Sequence, residues 1–471
     1  MRREASGHDM IAAADPLLRR EPASMNQQNR LAELHLHLYG TIDPADWLEY
    51  VKDREVDWES YESTFLAAYG REAPPIREVL SRHRAGVPGA AEEFRRIFVF
   101  GDDDAGNFGR FQAKFNLLIA SSRMTEDEAR GSYGQVSIDE VTNVVHSVIR
   151  SQQAQGIAYA EQRMQVPDGA WVLLDAILNA YAEYEDATFQ PRLAVSLPRD
   201  DPWRHWEVTR ALALGPSGHL VTGIDFSYLE EGHPPKDKKP FFDEVLGFNE
   251  QHPERALAIL YHVGESFGDK SLESAVRWVH EAAELGAHRL GHAIALGVDP
   301  EAYGPHTRTE RVDERVDQLT YDRAHADGLL RHGLKVDRKG TMDELDRLRS
   351  RPPGDKVVVE YNRNRLADVR RRQDYAMERV RALGAVVEVC PPSNRRIGGI
   401  SDPAHHPVHR FLEAGVPFVV SSDDPGIFGT TLRDELRWVV DAAGLQVDAA
   451  QELAARAWRY RSEVLTGREK A

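Results

Sequence analysis

The chain has 471 residues, 41% of them hydrophobic, and a formal net charge of −17 at pH 7. This acidic balance does not predict a nucleic-acid surface, and no apolar run reaches the roughly 18 residues that a membrane span needs. The single cysteine, Cys390, excludes an intramolecular disulfide framework and a Pro-Cys-x-x-Cys zinc site. We therefore expect a cytoplasmic protein that acts on a small molecule, with neither nucleic acid nor membrane as a partner.

Two regions differ in character along the chain. Residues 1–28 are polar and lack the apolar block of a signal peptide, so we expect a loosely ordered N-terminal extension. Residues 29–471 are expected to form one domain, because a barrel with insertions can exceed about 400 residues.

The first apolar run, residues 31–40, carries histidines at alternate positions. Side chains at i and i+2 of a strand lie on the same face, so His35 and His37 would approach one point. This geometry suits a divalent metal, although two structural histidines explain the spacing about as well. A catalytic zinc needs at least three protein ligands and an open position, so the prediction depends on residues further along.

The next segment, residues 43–150, is predicted to be helical. Apolar residues recur at helix-like spacing in residues 47–51, 76–83, 90–99 and 141–153. Phe108, Phe111, Phe115 and Leu118 also recur every three or four residues. That spacing is more typical of a buried helix face than of a pocket wall.

Seven more strand candidates alternate with helical patterns. They are residues 156–165, 191–197, 219–228, 256–264, 288–296, 386–391 and 416–422. With the first strand they predict an α/β fold, a (β/α)8 TIM barrel whose site lies at the carboxyl ends of the strands.

Residues 297–384 exceed what one βα connection needs, so we predict an insertion between strands 6 and 7, with an extended piece at residues 356–361. Its arginines are interpreted as a solvent-exposed helix face in preference to a site for a phosphate or an acidic partner; they are Arg363, Arg365, Arg370, Arg371 and Arg372. The later His405, His406 and His409 are interpreted as surface residues in preference to a second metal site.

Polar motifs follow several of the predicted strands. They are His262-Val-Gly-Glu265, Gly291-His292, Glu388-Val-Cys-Pro-Pro-Ser-Asn394 and Ser422-Asp-Asp-Pro425. In this order after His35-Leu-His37, they resemble the adenosine deaminase family of the amidohydrolase superfamily. The resemblance runs from about residue 31 to the region after residue 425, and it implies that the helical segment 43–150 is a lid over the barrel mouth.

The resemblance also implies a metal site. One Zn²⁺, or another divalent ion, would be bound by His35, His37, His262 and Asp423, which offer the ligand types that zinc accepts. The ion would lower the pKa of a bound water toward about 7, so that hydroxide could attack C6 of a 6-aminopurine.

Catalytic and binding roles follow from the same resemblance. Glu265 would protonate ring N1, His292 would orient the water and take its proton, and Asp424 would hydrogen-bond N7. Gly264 would let the purine approach the backbone closely. Taken singly, Glu265 would be a helix cap, His292 a buried histidine and Asp423 a helix start; the joint pattern favours catalysis.

Three positions depart from the family pattern. Tyr39 stands where the family has an aspartate for the ribose 5′ end, Tyr228 where it has a glycine at the purine edge, and Ala293 where glycine is usual. The sequence thus predicts a metal-dependent deaminase of a 6-aminopurine nucleoside or nucleotide, with altered substrate contacts at Tyr39 and Tyr228. The alternatives are an amidohydrolase for a different C–N bond and a non-catalytic scaffold.

Overall fold

The computed structural model describes residues 30–131, 133–226, 228–400 and 402–470, so the extension predicted at residues 1–28 lies outside the described residues. The strands are β1 (Leu31–His37), β2 (Ile157–Met164), β3 (Gln190–Ser196), β4 (Val221–Phe226), β5 (Ala258–Val263), β6 (Arg289–His292), β7 (His306–Arg311), β8 (Lys356–Tyr361), β9 (Val386–Val389) and β10 (Phe418–Val420). Eight of them form one sheet in the order β1-β2-β3-β4-β5-β6-β9-β10, and every pair of neighbours is parallel.

The sheet closes on itself beside the first strand. The backbone N–H of His37 donates to the carbonyl of Asp423 (3.1 Å), and the N–H of Asp423 donates to the carbonyl of His35 (3.0 Å). Leu36 and Asp423 form the corresponding parallel bridge. The predicted eight-stranded barrel is therefore confirmed, and its last hydrogen bonds join β1 to the residues after β10.

Helices cover the outer face of the barrel, so almost all residues of its strands are buried, including all six residues of β5. The α-helices are α1 (Pro44–Val51), α2 (Glu59–Tyr69), α3 (Ile76–Arg84), α4 (Ala90–Phe98), α5 (Phe108–Ser121), α6 (Arg123–Arg130), α7 (Gln135–Ala154), α8 (Trp171–Tyr184), α9 (Trp203–Leu214), α10 (Lys239–Gln251), α11 (Leu272–Leu285), α12 (Val312–Ala324), α13 (Ala326–Arg331), α14 (Arg338–Arg349), α15 (Arg363–Leu383), α16 (Pro391–Arg396), α17 (Val408–Ala414), α18 (Pro425–Phe428), α19 (Leu432–Ala442), α20 (Ala449–Arg459) and α21 (Ser462–Leu465). Helices α1 to α7 occupy the segment predicted to be helical. Within the described residues, no helix has the length and apolar character to cross a membrane.

The segment between β6 and β9 contains a small unit of its own. Strands β7 and β8 pair antiparallel, from His306 opposite Tyr361 to Arg311 opposite Lys356. The sequence predicts extended structure only for β8, because β7 is polar and most of its residues are exposed. Helix α15 packs along α11 outside the barrel, where the helix of an ordinary βα unit would lie.

Two surface interpretations are wrong at particular residues. Arg365 and Arg372 are paired with Glu273, a buried carboxylate on α11, instead of lying on a solvated face. His406 is buried, and its ring packs edge-on against Trp438, 4.9 Å between centroids. In both cases the partner comes from a distant part of the chain, so helix spacing alone could not reveal it.

Candidate active site

Four side chains converge at the carboxyl end of the barrel. One donor atom from each of His35, His262, His292 and Asp423 lies within 4.8 Å of the others. His37 stands beside them, with its Nε2 3.3 Å from Oδ1 of Asp423. The structure thus brings together the residues predicted to bind a metal, and places His292 with them.

Hydrogen bonds fix the orientation of two of these imidazoles. Nδ1 of His35 lies 2.8 Å from Oε2 of Glu388, and Nδ1 of His262 lies 2.9 Å from Oδ1 of Asp225. Imidazoles that donate one N–H to a carboxylate present the other nitrogen to a metal. Burial lowers the pKa of His262 to about 3, which keeps it in the neutral form that a metal needs. This donor set fits a divalent metal ion.

An arginine that sequence reasoning missed lies beneath the histidines. Arg163, on β2, donates from Nη2 to both carboxylate oxygens of Glu388 (2.6 Å each), and its Nη1 donates to Oδ1 of Asp225 at 3.3 Å. The same Nη1 is 3.3 Å from Nε2 of His35. The guanidinium therefore offsets the negative charge of the carboxylates that orient the histidines. Its signal in the sequence is only an arginine near the end of an apolar strand.

Two acidic residues at the site, Glu265 and Asp424, have raised pKa values, so both tend to keep their protons. Burial, together with the charges of Asp423 and Glu230, raises the pKa of Glu265 to about 8. Burial and the neighbouring Asp423 raise the pKa of Asp424 well above its usual range. Both groups can therefore act as hydrogen-bond donors, which an ionised carboxylate cannot do.

His292 is held by the residue that ends the seventh-strand motif. Nδ2 of Asn394 lies 3.0 Å from Nδ1 of His292, while Oδ1 of Asn394 accepts from the backbone N–H of Cys390 at 3.3 Å. Because the amide oxygen is used by Cys390, the amide nitrogen donates to Nδ1 of His292. The neutral imidazole then carries its proton on Nε2. The side chain of Cys390 itself is buried.

Backbone strain is concentrated at this end of the barrel. Among the residues that the structure describes, four other than glycine have positive φ angles, namely Tyr228 (72°), His292 (62°), Ala293 (47°) and Asp423 (64°). Such conformations cost roughly 1–3 kcal/mol each and cluster at functional sites. Ala293 thus adopts the left-handed conformation at the position where the family has glycine.

A cavity of about 410 Å³ opens above these residues, within the usual size of small-molecule sites. Phe108, Phe111, Phe115 and Leu118 all line it from α5. They are a wall of the pocket as well as a packed helix face, so the preference for packing alone is wrong. The helical segment covers the mouth here, as a lid would.

The predicted substrate residues lie around the same cavity. Tyr39 and Tyr228 both line it. The hydroxyl of Tyr39 donates its hydrogen bond to Oε1 of Glu140 (3.0 Å), so this hydrogen is not available to a substrate. Gly264 has φ of +70°, and a Cβ there would lie 2.7 Å from a methyl of Val279. Close packing against Val279 therefore explains why glycine occupies position 264. The roles of Tyr39, Tyr228 and Gly264 in substrate binding stay predictions.

Comparisons with known proteins match this arrangement. The family model for adenosine deaminase matches residues 364–463. The adenine deaminase of Rhizobium leguminosarum bv. trifolii is 42% identical over 84 residues, 17% of this chain and 26% of that protein. The adenine deaminase of Streptomyces coelicolor is 24% identical over 428 residues, 90% of this chain and 87% of that protein.

The matched segments of the first relatives thus span about a quarter of their length or less. Among solved structures, the adenine deaminase from Arthrobacter aurescens superposes with a TM-score of 0.51 at 18% identity, covering 93% of this chain and 98% of that one. This superposition shows a shared fold.

Proposed function

We propose that this chain, which is similar to the adenosine deaminase family model over residues 364–463 and to adenine deaminases, hydrolyses an uncharged 6-aminopurine to the 6-oxopurine and ammonia. The observation that carries this proposal is the position of the Glu265 carboxyl, which is 12% exposed and lies beside the cluster of metal-ligating groups. Its Oε1 accepts from the hydroxyl of Ser393 at 3.1 Å and lies 3.6 Å from Nε2 of His292. A proton donor beside a cluster of metal-ligating groups is what hydrolytic loss of an amino group requires.

Glu265 would donate its proton to ring N1, which makes C6 electrophilic. Water would add to C6 and one of its protons would pass to the amino group, so that the C6–N bond breaks and ammonia leaves. The C6 hydroxyl would then return its proton to the Glu265 carboxylate as the 6-oxo group forms, while N1 keeps the proton that Glu265 donated. A carboxyl group with a pKa of about 8 retains its proton at neutral pH and can still release it.

Asp424 would hold the other edge of the purine. Atom N7 is a hydrogen-bond acceptor, so its partner must be a donor. The protonated Asp424 meets this need, and in the described part of the chain its Oδ1 is buried without a hydrogen-bond partner.

The residues predicted as metal ligands would hold one divalent ion, for which zinc suits the imidazole and carboxylate donors. When bound, such an ion supplies a water that is acidic enough to ionise near neutrality. His292 would orient that water with its Nε2–H. Taking a proton at Nε2 would require the other tautomer, in which Nδ1–H and the amide of Asn394 would be two donors facing one another.

The charges of the cavity favour an uncharged substrate. Among the described residues that line it, Arg163 is the only lysine or arginine, and it is buried and paired with carboxylates. Glu128, Asp423 and Asp424 also line the cavity. A phosphate would find no available cation there, so we favour a nucleobase or nucleoside over a nucleotide. The adenine deaminases among the relatives support the same choice.

The test is ammonia release, with ultraviolet spectra, from adenine, adenosine, deoxyadenosine, AMP, dAMP and N6-methyl derivatives. We expect conversion of an uncharged member by the wild type, loss of activity in Glu265→Gln, and full activity in Glu231→Gln. Glu231 is a matched control because it accepts hydrogen bonds from Ser266 and Gly268 and does not line the cavity.

Three outcomes would overturn this proposal. Preference for AMP or dAMP would contradict the uncharged substrate. No turnover with one metal ion bound would favour an amidohydrolase for another C–N bond, and no turnover without metal would favour a scaffold.

A further inference from the structure

A second cluster of metal-ligating side chains lies outside the barrel, where the insertion packs on α11. His280 and Glu284 are four residues apart on α11 and so share one face. His325 ends α12 and reaches the same place from the insertion. One donor atom from each of the three lies within 4.8 Å of the others.

The donor atoms are spaced as ligands of one ion would be. Nε2 of His280 lies 3.3 Å from Oε1 of Glu284, and Nε2 of His325 lies 3.9 Å from Oε2 of the same carboxylate. Tetrahedral coordination with bonds of about 2.0–2.1 Å separates neighbouring donors by about 3.3 Å. A small inward shift of His325 would complete that geometry.

A tyrosine hydroxyl lies within hydrogen-bond distance of Nδ1 of each imidazole. Nδ1 of His280 lies 2.7 Å from the hydroxyl of Tyr321, and Nδ1 of His325 lies 2.8 Å from the hydroxyl of Tyr375. When Nδ1–H donates to the phenol oxygen, the lone pair of Nε2 faces the shared point. Outer contacts of this kind orient histidines in metal sites.

The imidazole of His280 is buried and one of its nitrogens has no hydrogen-bond partner in the described part of the chain. This nitrogen is Nε2, since its approach to Glu284 has poor geometry. A buried polar atom left without a partner costs about 1–3 kcal/mol. Glu284 and His325 remain partly exposed, at 36% and 22%, so an ion can enter from solvent.

Nearby charges bear on this site from several elements. Arg379 on α15 acts on all three groups, and Glu281 and Asp322 act on His325. Burial is the main reason that the pKa of His280 falls to about 3, so this imidazole is neutral at physiological pH. In the described part of the chain, Glu284 forms salt bridges within 4.0 Å with His280 and His325 and with no lysine or arginine.

We propose that His280, Glu284 and His325 bind a divalent metal ion, separate from the one at the barrel mouth, and that this ion links the insertion to α11. Two imidazoles and one carboxylate favour zinc, with water as the fourth ligand. The ion would join two helices that lie 27 residues or more apart in sequence, α11 ending at Leu285 and α12 beginning at Val312.

The test compares metal content and thermal stability of the full chain and two variants after chelation, reloading with Zn²⁺ and desalting. His325→Gln removes one proposed ligand of the second metal site. His325 is not part of the candidate catalytic site. His332→Gln is the matched control, since His332 is 21% exposed and its Nε2 lies 2.6 Å from Oε2 of Glu378 in the same insertion.

We expect His325→Gln to hold one zinc ion fewer per chain than the wild type and His332→Gln, while its deaminase activity is unchanged. Zinc should raise the Tm of the wild type and of His332→Gln more than that of His325→Gln. Equal metal content and equal zinc-induced shifts in all three proteins would overturn the proposal. Because the readout is a difference between variants, this result is independent of the metal at the barrel mouth.

Discussion

Oε1 of Glu265 and Nε2 of His292 face one another across the barrel mouth at 3.6 Å. This separation is too long for a hydrogen bond between them, so both groups keep their donors for the substrate and water. The two side chains come together at the barrel mouth although they belong to different strand-end motifs in the sequence.

The first prediction concerns pH. Burial raises the pKa of Glu265 to about 8, so the carboxyl is protonated below that pH and ionised above it. Since the protonated form is the active one, kcat/KM should fall about tenfold per unit as pH rises beyond about 8. A pH profile of kcat/KM measures this; a profile that stays level to pH 10 would contradict the assignment of Glu265 as the acid.

The second prediction concerns Gly40. A Cβ at this position would lie 1.6 Å from Oδ1 of Asp424, so Gly40→Ala must displace the carboxyl predicted to hold N7. We expect kcat/KM to fall about 100-fold, the loss that a misplacement near 1 Å can cause. Gly247→Ala on α10 is the control, since nothing lies within 4 Å of a Cβ there. Equal steady-state kinetics of the two variants would disprove the proposed role of Asp424.

The third prediction concerns Tyr39, whose hydroxyl donates to the buried carboxylate of Glu140. Tyr39→Phe should lower the free energy of unfolding by about 1.5–3 kcal/mol, the contribution of a hydrogen bond to a charged group. Tyr61→Phe is the matched control, because the hydroxyl of Tyr61 is buried without a partner in the described chain. Urea denaturation measures both, and an equal effect of the two changes would show that the Glu140 bond contributes nothing.

The fourth prediction concerns Arg163. Replacing it by methionine leaves Glu388 with a single arginine, Arg289, whose Nε donates to Oε1 at 2.7 Å. Breaking a buried ion pair from one side costs about 3–5 kcal/mol. We therefore expect a lower urea midpoint for Arg163→Met, and a change within about 0.5 kcal/mol for the exposed Arg349→Met. If the urea midpoint of Arg163→Met equals that of the wild type, Arg163 does not stabilise the fold by offsetting the charges of Glu388 and Asp225.

Local patterns were sufficient for much of the fold and for the outline of the candidate site. Alternation placed His35 and His37 on one face of β1, and the short apolar runs located the eight barrel strands, because period and burial are encoded within a few residues. Glu265 and His292 were predicted only because the motifs at the strand ends, taken together, resemble the adenosine deaminase family; a parallel barrel brings such strand-end side chains together.

Contacts between distant segments could not be found in this way. Arg163 pairs with Glu388, 225 residues away, and Arg365 pairs with Glu273, 92 residues away. An isolated arginine gives no sign of a buried partner, and surface exposure is its commonest state. The strand β7 was missed for a similar reason, since its polar residues are extended only because β8 pairs with them.

The closing hydrogen bonds of the barrel run through the backbone of His35, His37 and Asp423. The hydrogen bonds that close the barrel therefore also set the spacing of three predicted metal ligands. A chain whose final strand has not yet docked cannot offer these ligands together, so an ion would select the finished barrel over partly folded forms. Metal binding would then slow amide hydrogen exchange first at His37 and Asp423, where the ring joins.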